Sequence, residues 1–178
     1  MVALQDNLAI EEVVGWDIII DYSFDMGDFG DMRINNVLGY ISEWDQQELA
    51  GAPTIACEGN WGASCGNPTP DFQNNMRFTW NTSWRDITAS AMWRHISGTT
   101  DLSGNVNLDD VNYIDVAAVW QFNEIVIFRV GVNNLFDEEP PIAGNAACPS
   151  INGNGNVFPS HVRRFGSVLV HASGSDVL

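Results

Sequence analysis

The stretch Trp16-Asp17-Ile18-Ile19-Ile20-Asp21-Tyr22-Ser23-Phe24-Asp25-Met26-Gly27-Asp28-Phe29-Gly30-Asp31-Met32-Arg33-Ile34-Asn35-Asn36-Val37-Leu38-Gly39-Tyr40 decides the fold. Trp16, Ile18, Ile20, Tyr22 and Phe24 recur at every second position, with Asp17, Asp21, Ser23 and Asp25 between them and Ile19 out of place. A period of two puts the first set on one face of a β-strand and the second on the other. After Gly27-Asp28-Phe29-Gly30 the pattern resumes. Met32, Ile34, Leu38 and Tyr40 lie on one face, with Asn36 as the exception, and Arg33, Asn35 and Gly39 lie opposite. Two long strands and a short Gly-bounded turn predict an antiparallel hairpin.

The same alternation extends along the chain. Met76, Phe78 and Trp80 oppose Asn75, Arg77, Thr79 and Asn81. Ile87, Ala89, Ala91 and Trp93 oppose Thr88, Ser90 and Arg94. Ile114, Val116, Ala118, Trp120 and Phe122 oppose Tyr113, Asp115 and Gln121. Val126, Phe128, Val130 and Val132 oppose Arg129, Gly131 and Asn133, and a less regular seventh strand is expected over 161–172. Short connections at 27–30, around Ser83-Trp84-Arg85 and at Asn123-Glu124 alternate with long, Gly-, Pro- and Asn-rich ones at 44–71, 98–110 and 137–160. Strands of about ten residues, short turns at one end and long loops at the other are the layout of an outer-membrane β-barrel. Aromatic residues agree. Tyr22, Phe24, Trp80, Trp84, Trp120 and Phe122 fall by the short turns; Trp16, Tyr40, Trp44, Trp93 and Phe136 fall toward the long loops. Two such bands suit the two interfaces of a bilayer, although aromatics favour strands in soluble sheets as well.

Composition narrows the function. The 178 residues carry 23 Asp and Glu against seven basic residues, all arginine, for a formal charge of -16. That field repels phosphate backbones, so nucleic acid is not an expected partner. With 45% hydrophobic residues and seven tryptophans the chain is not a disordered acidic tail. The first residues have neither the basic start nor the apolar run of a signal peptide, and no apolar stretch suits a membrane-spanning helix. Cys57 and Cys65 bracket a Gly-rich loop; a local disulfide there implies an oxidising compartment, and two unrelated thiols are the alternative. Cys148 is left over. No CxxC pair supports zinc, and His95, His161 and His171 form no HExxH pattern. The segment Asp101–Asp110 is faintly like a calcium loop, but its Gly104 and Asn112 stand where the motif needs other residues, and a polar loop is the better reading. No catalytic residues, metal site or cofactor are expected, and an enzyme is not.

Gly131-Val132-Asn133-Asn134-Leu135-Phe136-Asp137-Glu138-Glu139-Pro140-Pro141 resembles the GVNNLFDxxPP segment near the C-terminus of TonB-dependent receptors. Tyr113-Ile114-Asp115-Val116 with Trp120, the run Gly62–Pro70 followed by Arg77–Trp80, and Asn152-Gly153-Asn154, Phe158-Pro159 and Arg163-Arg164-Phe165 resemble flanking parts of the same region. The resemblance implies an all-β fold, an antiparallel up-and-down meander of about seven long strands forming the C-terminal part of a 22-stranded transmembrane barrel. Residues 1–14 would be a partial loop leading in, and 15–178 the C-terminal strands, with no plug domain. It implies a place in the outer membrane of a Gram-negative bacterium. The whole receptor would take up a scarce nutrient such as an iron chelate (siderophore uptake), cobalamin or an oligosaccharide. This chain, a fragment, would supply wall and external loops. The implied partners are the rest of the barrel and its plug, TonB through the missing N-terminal region, outer-membrane lipid and the nutrient. No ligand-binding residue is assigned by motif, although Trp61 in the first long loop is a candidate contact. The ending His171–Leu178 lacks the family's terminal aromatic residue.

Arg33, Arg77, Arg94 and Arg129 sit on the polar parity and would line the lumen, where acids of the plug or of neighbouring strands would pair with them. The different-class alternative is a soluble β-sheet binding module of carbohydrate-binding type that uses exposed Trp residues.

Overall fold

The computed structural model describes residues 10–49, 51–142 and the backbone of 167–174. Cys148, the resemblance at 152–165, the expected strand start at His161 and the last four residues lie outside them.

Seven long strands form one antiparallel sheet in chain order. They are β1 (Ile10–Asp25), β2 (Asp31–Gln47), β5 (Phe72–Asn81), β6 (Ile87–Ile96), β9 (Val111–Gln121), β10 (Val126–Asn133) and β11 (Ser167–Gly174). Short strands occupy the long connections: β3 (Ile55–Ala56) and β4 (Asn60–Trp61) in the first, β7 (Thr99–Asp101) and β8 (Asn107–Leu108) in the second. The fold is therefore the all-β antiparallel meander expected from the alternation. The sheet is not closed: β1 and β11 stand at its two ends. β1 begins at Ile10, so Ile10–Val14, expected to lead in as loop, are strand.

The register shows why the alternation was readable. Trp16 pairs with Tyr40, Ile18 with Leu38, Tyr22 with Ile34 and Phe24 with Met32. Across the sheet Met32 meets Trp80, Trp80 meets Ala89, Ala89 meets Ala118 and Ala118 meets Val130. Directly paired residues share a face, so the apolar sets of β1, β2, β5, β6, β9 and β10 merge into one apolar surface. No layer of described residues covers it; Trp16 is 65% and Val130 48% exposed. Phe72 and Trp80, at opposite ends of β5, are eight residues apart, about 27 Å along the strand.

Aromatic rings cluster at both margins. Trp120, Phe122 and Phe128 stack by the short turns, with Trp120–Phe122 centroids 5.2 Å apart. Phe72, Trp93 and His95 group toward the long loops, where Asn112 Oδ1 accepts from Trp93 Nε1–H at 2.9 Å and lies 3.0 Å from His95 Nδ1.

One member of the expected bands moves. The β1–β2 register slips between Val14 and Gly15, leaving Ser42 as the extra residue of a bulge. A one-residue slip inverts the alternation beyond it. Trp44 therefore pairs with Val13, and its indole N–H donates to Glu11 at 2.8 Å, both at odd positions of β1 on the polar face.

The buried apolar side chains among the described residues, Cys57, Trp61, Cys65, Leu108, Val111 and Tyr113, all lie toward the long loops. They pack a small knob rather than a sheet-wide core. β4 pairs with β7 in parallel, β7 with β8 antiparallel, and β3 with the end of β2. A disulfide joins Cys57 to Cys65, with Cα atoms 5.4 Å apart. At the other end the turns dock on each other: Trp80 Nε1–H donates to the Phe29 carbonyl at 2.8 Å, and Ser83 Oγ–H donates to the Asp28 carbonyl.

Candidate functional site

The polar face of the sheet carries the functional side chains. Its rows follow from the register. Arg33, Thr79, Ser90, Ala117 and Gly131 form one row, and Asn35, Arg77, Met92 and Asp115 form the next toward the long loops. Arg94 pairs with Tyr113 one row further, and Arg129 with Val119 one row the other way. All four expected arginines thus share one face.

Their partners differ. Arg33 grips Asp21 through Nε at 3.1 Å and Nη2 at 2.5 Å, and Asn35 Nδ2 donates to the same carboxylate at 2.7 Å. Arg94 grips Asp115 through Nε at 3.0 Å and Nη2 at 3.1 Å, with its guanidinium carbon 5.0 Å from the centroid of the Tyr113 ring. These are fork-to-carboxylate pairs that an ammonium group would not reproduce. So two of the four arginines find acids on the adjacent strand of this chain, without a plug. Arg77 does not: its Nη2 lies 3.1 Å from Met92 Sδ, and it forms no ion pair among the described residues.

Asp115 also anchors the segment that carries the family resemblance. Its Oδ1 accepts the backbone N–H of Asn134 at 2.8 Å, and Leu135 N–H donates to the Ile114 carbonyl at 2.7 Å. Asn134 takes a left-handed backbone, φ 52°, which asparagine tolerates better than most residues. Its side chain then clasps Glu138, donating to the carbonyl at 3.0 Å and accepting the N–H at 2.9 Å. Gly131, Val132 and Asn133 end β10; Asn134, Leu135, Phe136 and Asp137 form the clasp, with Pro140 and Pro141 beyond it.

Two hollows mark the polar face. One of about 520 Å³ near the long loops is bordered by Gly15, Asp17, Gly39, Asp71, Gln73 and Asn75. The facing glycines leave it open: a Cβ on Gly39 would come 3.3 Å from Asp17 Oδ1. A smaller recess of about 110 Å³ beside Arg77 is bordered by Ser90, Met92, Asp115, Ala117, Gly131 and Asn133, so a guanidinium and a carboxylate both face it. The apolar face has a shallow depression of about 430 Å³, floored by Ala89, Ala91 and Ala118 between Trp80 and Val130.

Two sequence candidates move. Trp61 is fully buried against Leu108 and Val106, so it packs its own knob and offers no surface to a ligand. The Asp101–Asp110 segment is a β7–β8 hairpin. Asp101 Oδ2 accepts from the backbone N–H and the hydroxyl of Ser103, and no group of three metal-ligating side chains occurs among the described residues. The roles of Asp21, Asp115 and Gly15 were not read from sequence. Both aspartates showed polar parity, but which arginine each meets depends on register.

No family model matches the chain, and no curated protein does. Among solved structures it is similar to the crystal structure of the ferric-catecholate import receptor Fiu from E. coli K12, closed form, at 17% identity and a TM-score of 0.48. The match covers 95% of this chain and 25% of that one, so the chain spans about a quarter of the receptor's length.

Proposed function

We propose that the chain is a wall segment of an outer-membrane β-barrel of the TonB-dependent receptor type. One observation carries this reading: a sheet of seven long strands whose continuous apolar face, bounded by aromatic margins, has no layer of described residues over it. In water such a surface drives association. In a bilayer it faces hydrocarbon, while the polar face lines the lumen and the knob stands at the external rim. Among the described residues no strand pairs with the outer edges of β1 and β11, and hydrocarbon does not tolerate unpaired backbone groups, so in this reading further strands complete the barrel. In this reading the segment contributes no bond chemistry. It supplies the lumen surface bearing Arg33, Arg77, Arg94 and Arg129, and the loop roots through which a scarce nutrient passes. The plug, TonB and the remaining strands are its partners.

The test is extraction and refolding. The protein is expected to need detergent and to migrate differently on a gel before and after boiling. A folded, monodisperse monomer in plain buffer sinks the reading and favours the soluble binding module.

A further inference from the structure

One member of the polar face stands apart from its row. Asn35, Arg77, Met92 and Asp115 pair directly across β2, β5, β6 and β9, so a thioether stands between a guanidinium and a carboxylate. Arg33 and Arg94 each close a fork on an aspartate, whereas the acceptor at Arg77 is Met92 Sδ, 3.1 Å from Nη2. A thioether accepts hydrogen bonds weakly, and oxidation turns it into a polar sulfoxide with an oxygen on the sulfur. Cys57 and Cys65 are already joined, which points to an oxidising compartment and leaves methionine as the sulfur open to oxidation among the described residues. Met32 and Met76 lie on the apolar face, and Met26 sits at the β1–β2 turn. Met92 is the described methionine on the polar face.

We infer that Met92 is an oxidation site for a small neutral peroxide, and that Arg77 retains the sulfoxide. The recess beside the two side chains, about 110 Å³, has room for at least about three waters and so for hydrogen peroxide. Arg77 and Asp115 both border it, so opposite charges face the same space and a neutral oxidant suits it better than an anion. Ser90, Ala117 and Gly131 keep it open because they are small. One lone pair of Met92 Sδ accepts from Arg77, and the other attacks a peroxide oxygen. An S–O bond forms as the O–O bond breaks. The sulfur gives up two electrons and the peroxide takes them. The proton of the transferred hydroxyl passes through water to the leaving hydroxide, which departs as water. The new oxygen stands one bond from an atom that Arg77 already touches, so the guanidinium donates to it with little movement. Oxidation therefore strengthens this β5–β6 contact instead of breaking it. Attack from one side also yields one of the two sulfoxide epimers. The inference goes beyond the barrel-wall reading and does not rest on it.

The experiment is treatment of the protein in detergent micelles with hydrogen peroxide. Peptide mass then locates the added oxygen, the two epimer-specific methionine sulfoxide reductases assign its hand, and thermal melts follow stability. Met92 is expected to give one epimer in at least about tenfold excess, the selectivity of one charge-assisted contact, while the urea-unfolded protein gives both. Oxidation is expected to leave the melting temperature of the wild type unchanged or higher. In Arg77→Ala it should yield both epimers and lower the melting temperature by about 2–4 °C, one lost hydrogen bond. On a Met92→Leu background, Arg77→Ala should no longer alter the response to peroxide. Both epimers from the folded wild type, no oxidation at Met92, or an equal fall in melting temperature with and without Arg77 overturns the inference. The epimer ratio needs no variant, so it decides the matter if Arg77→Ala fails to fold. Oxidation of Met32 and Met76 as fast as Met92, with one epimer still at Met92, keeps the oxidation site and removes the barrel wall.

Discussion

The carboxylate of Asp115 lies 2.8 Å from the backbone nitrogen of Asn134 while both its oxygens hold Arg94. One side chain thus ties β6, β9 and the exit of β10 together. The pair is largely shielded, with 18% of the Asp115 side chain exposed. Asp115→Ala strands the Arg94 guanidinium and frees an N–H, and is expected to destabilise by about 2–3 kcal/mol. Asp115→Asn keeps an acceptor for Asn134 and should lose only about half as much. Urea unfolding in detergent reads both; equal losses would show that the Asn134 bond contributes nothing.

The two faces of the sheet should respond oppositely to added charge. Val130→Arg puts a cation on the apolar face and is expected to cost about 2–4 kcal/mol in a bilayer. Gln73→Arg, on the polar face beside Asp71, should stay within about 1 kcal/mol. Refolding yields into vesicles compare them, and similar costs would contradict the assignment of faces.

Gly30 and Gly27 bound the same turn but are constrained differently. Both have positive φ, 93° and 63°. A Cβ on Gly30 would fall 2.0 Å from the Asn81 carbonyl, whereas Gly27 has nothing within 4 Å. Gly27→Ala should cost about 1 kcal/mol, from backbone strain alone. Gly30→Ala must also part the two docked turns and should cost at least about 2 kcal/mol. Thermal melts rank the two.

The disulfide should stabilise the knob and leave the sheet alone. Closing the nine-residue loop between Cys57 and Cys65 corresponds to about 2–3 kcal/mol in the chain-entropy account. Reduction is expected to speed amide exchange at residues 55–66 and 99–108, with strand amides of β5 to β10 unchanged. Global unfolding on reduction would show that the knob and the sheet are one cooperative unit.

Asn36 interrupts the apolar face between Ile20 and Met76, 7% exposed, and its Oδ1 has no hydrogen-bond partner among the described residues. Asn36→Leu removes an unsatisfied acceptor and is expected to raise stability by about 1 kcal/mol. A fall instead would reveal a partner for that oxygen outside the described residues.

The sequence by itself determined the strands, their order and their faces. Alternation is local: a residue at 18 and one at 20 share a face whatever lies beside them, and short turns force neighbours in sequence to be neighbours in space. That is why the apolar surface, the polar parity of the four arginines and the Gly-bounded turn at 27–30 were legible. Tertiary structure alone decided what depends on register and on packing between loops. The slip at Val14 and Gly15 turned Trp44 to the other face. Pairing on adjacent strands gave Arg33 to Asp21 and Arg94 to Asp115, and left Arg77 without an ion pair among the described residues. The knob took Trp61 out of contact with solvent by joining two loops that lie about forty residues apart in the chain. Each of these outcomes is fixed by contacts between distant residues, and a period-two pattern carries no information about them.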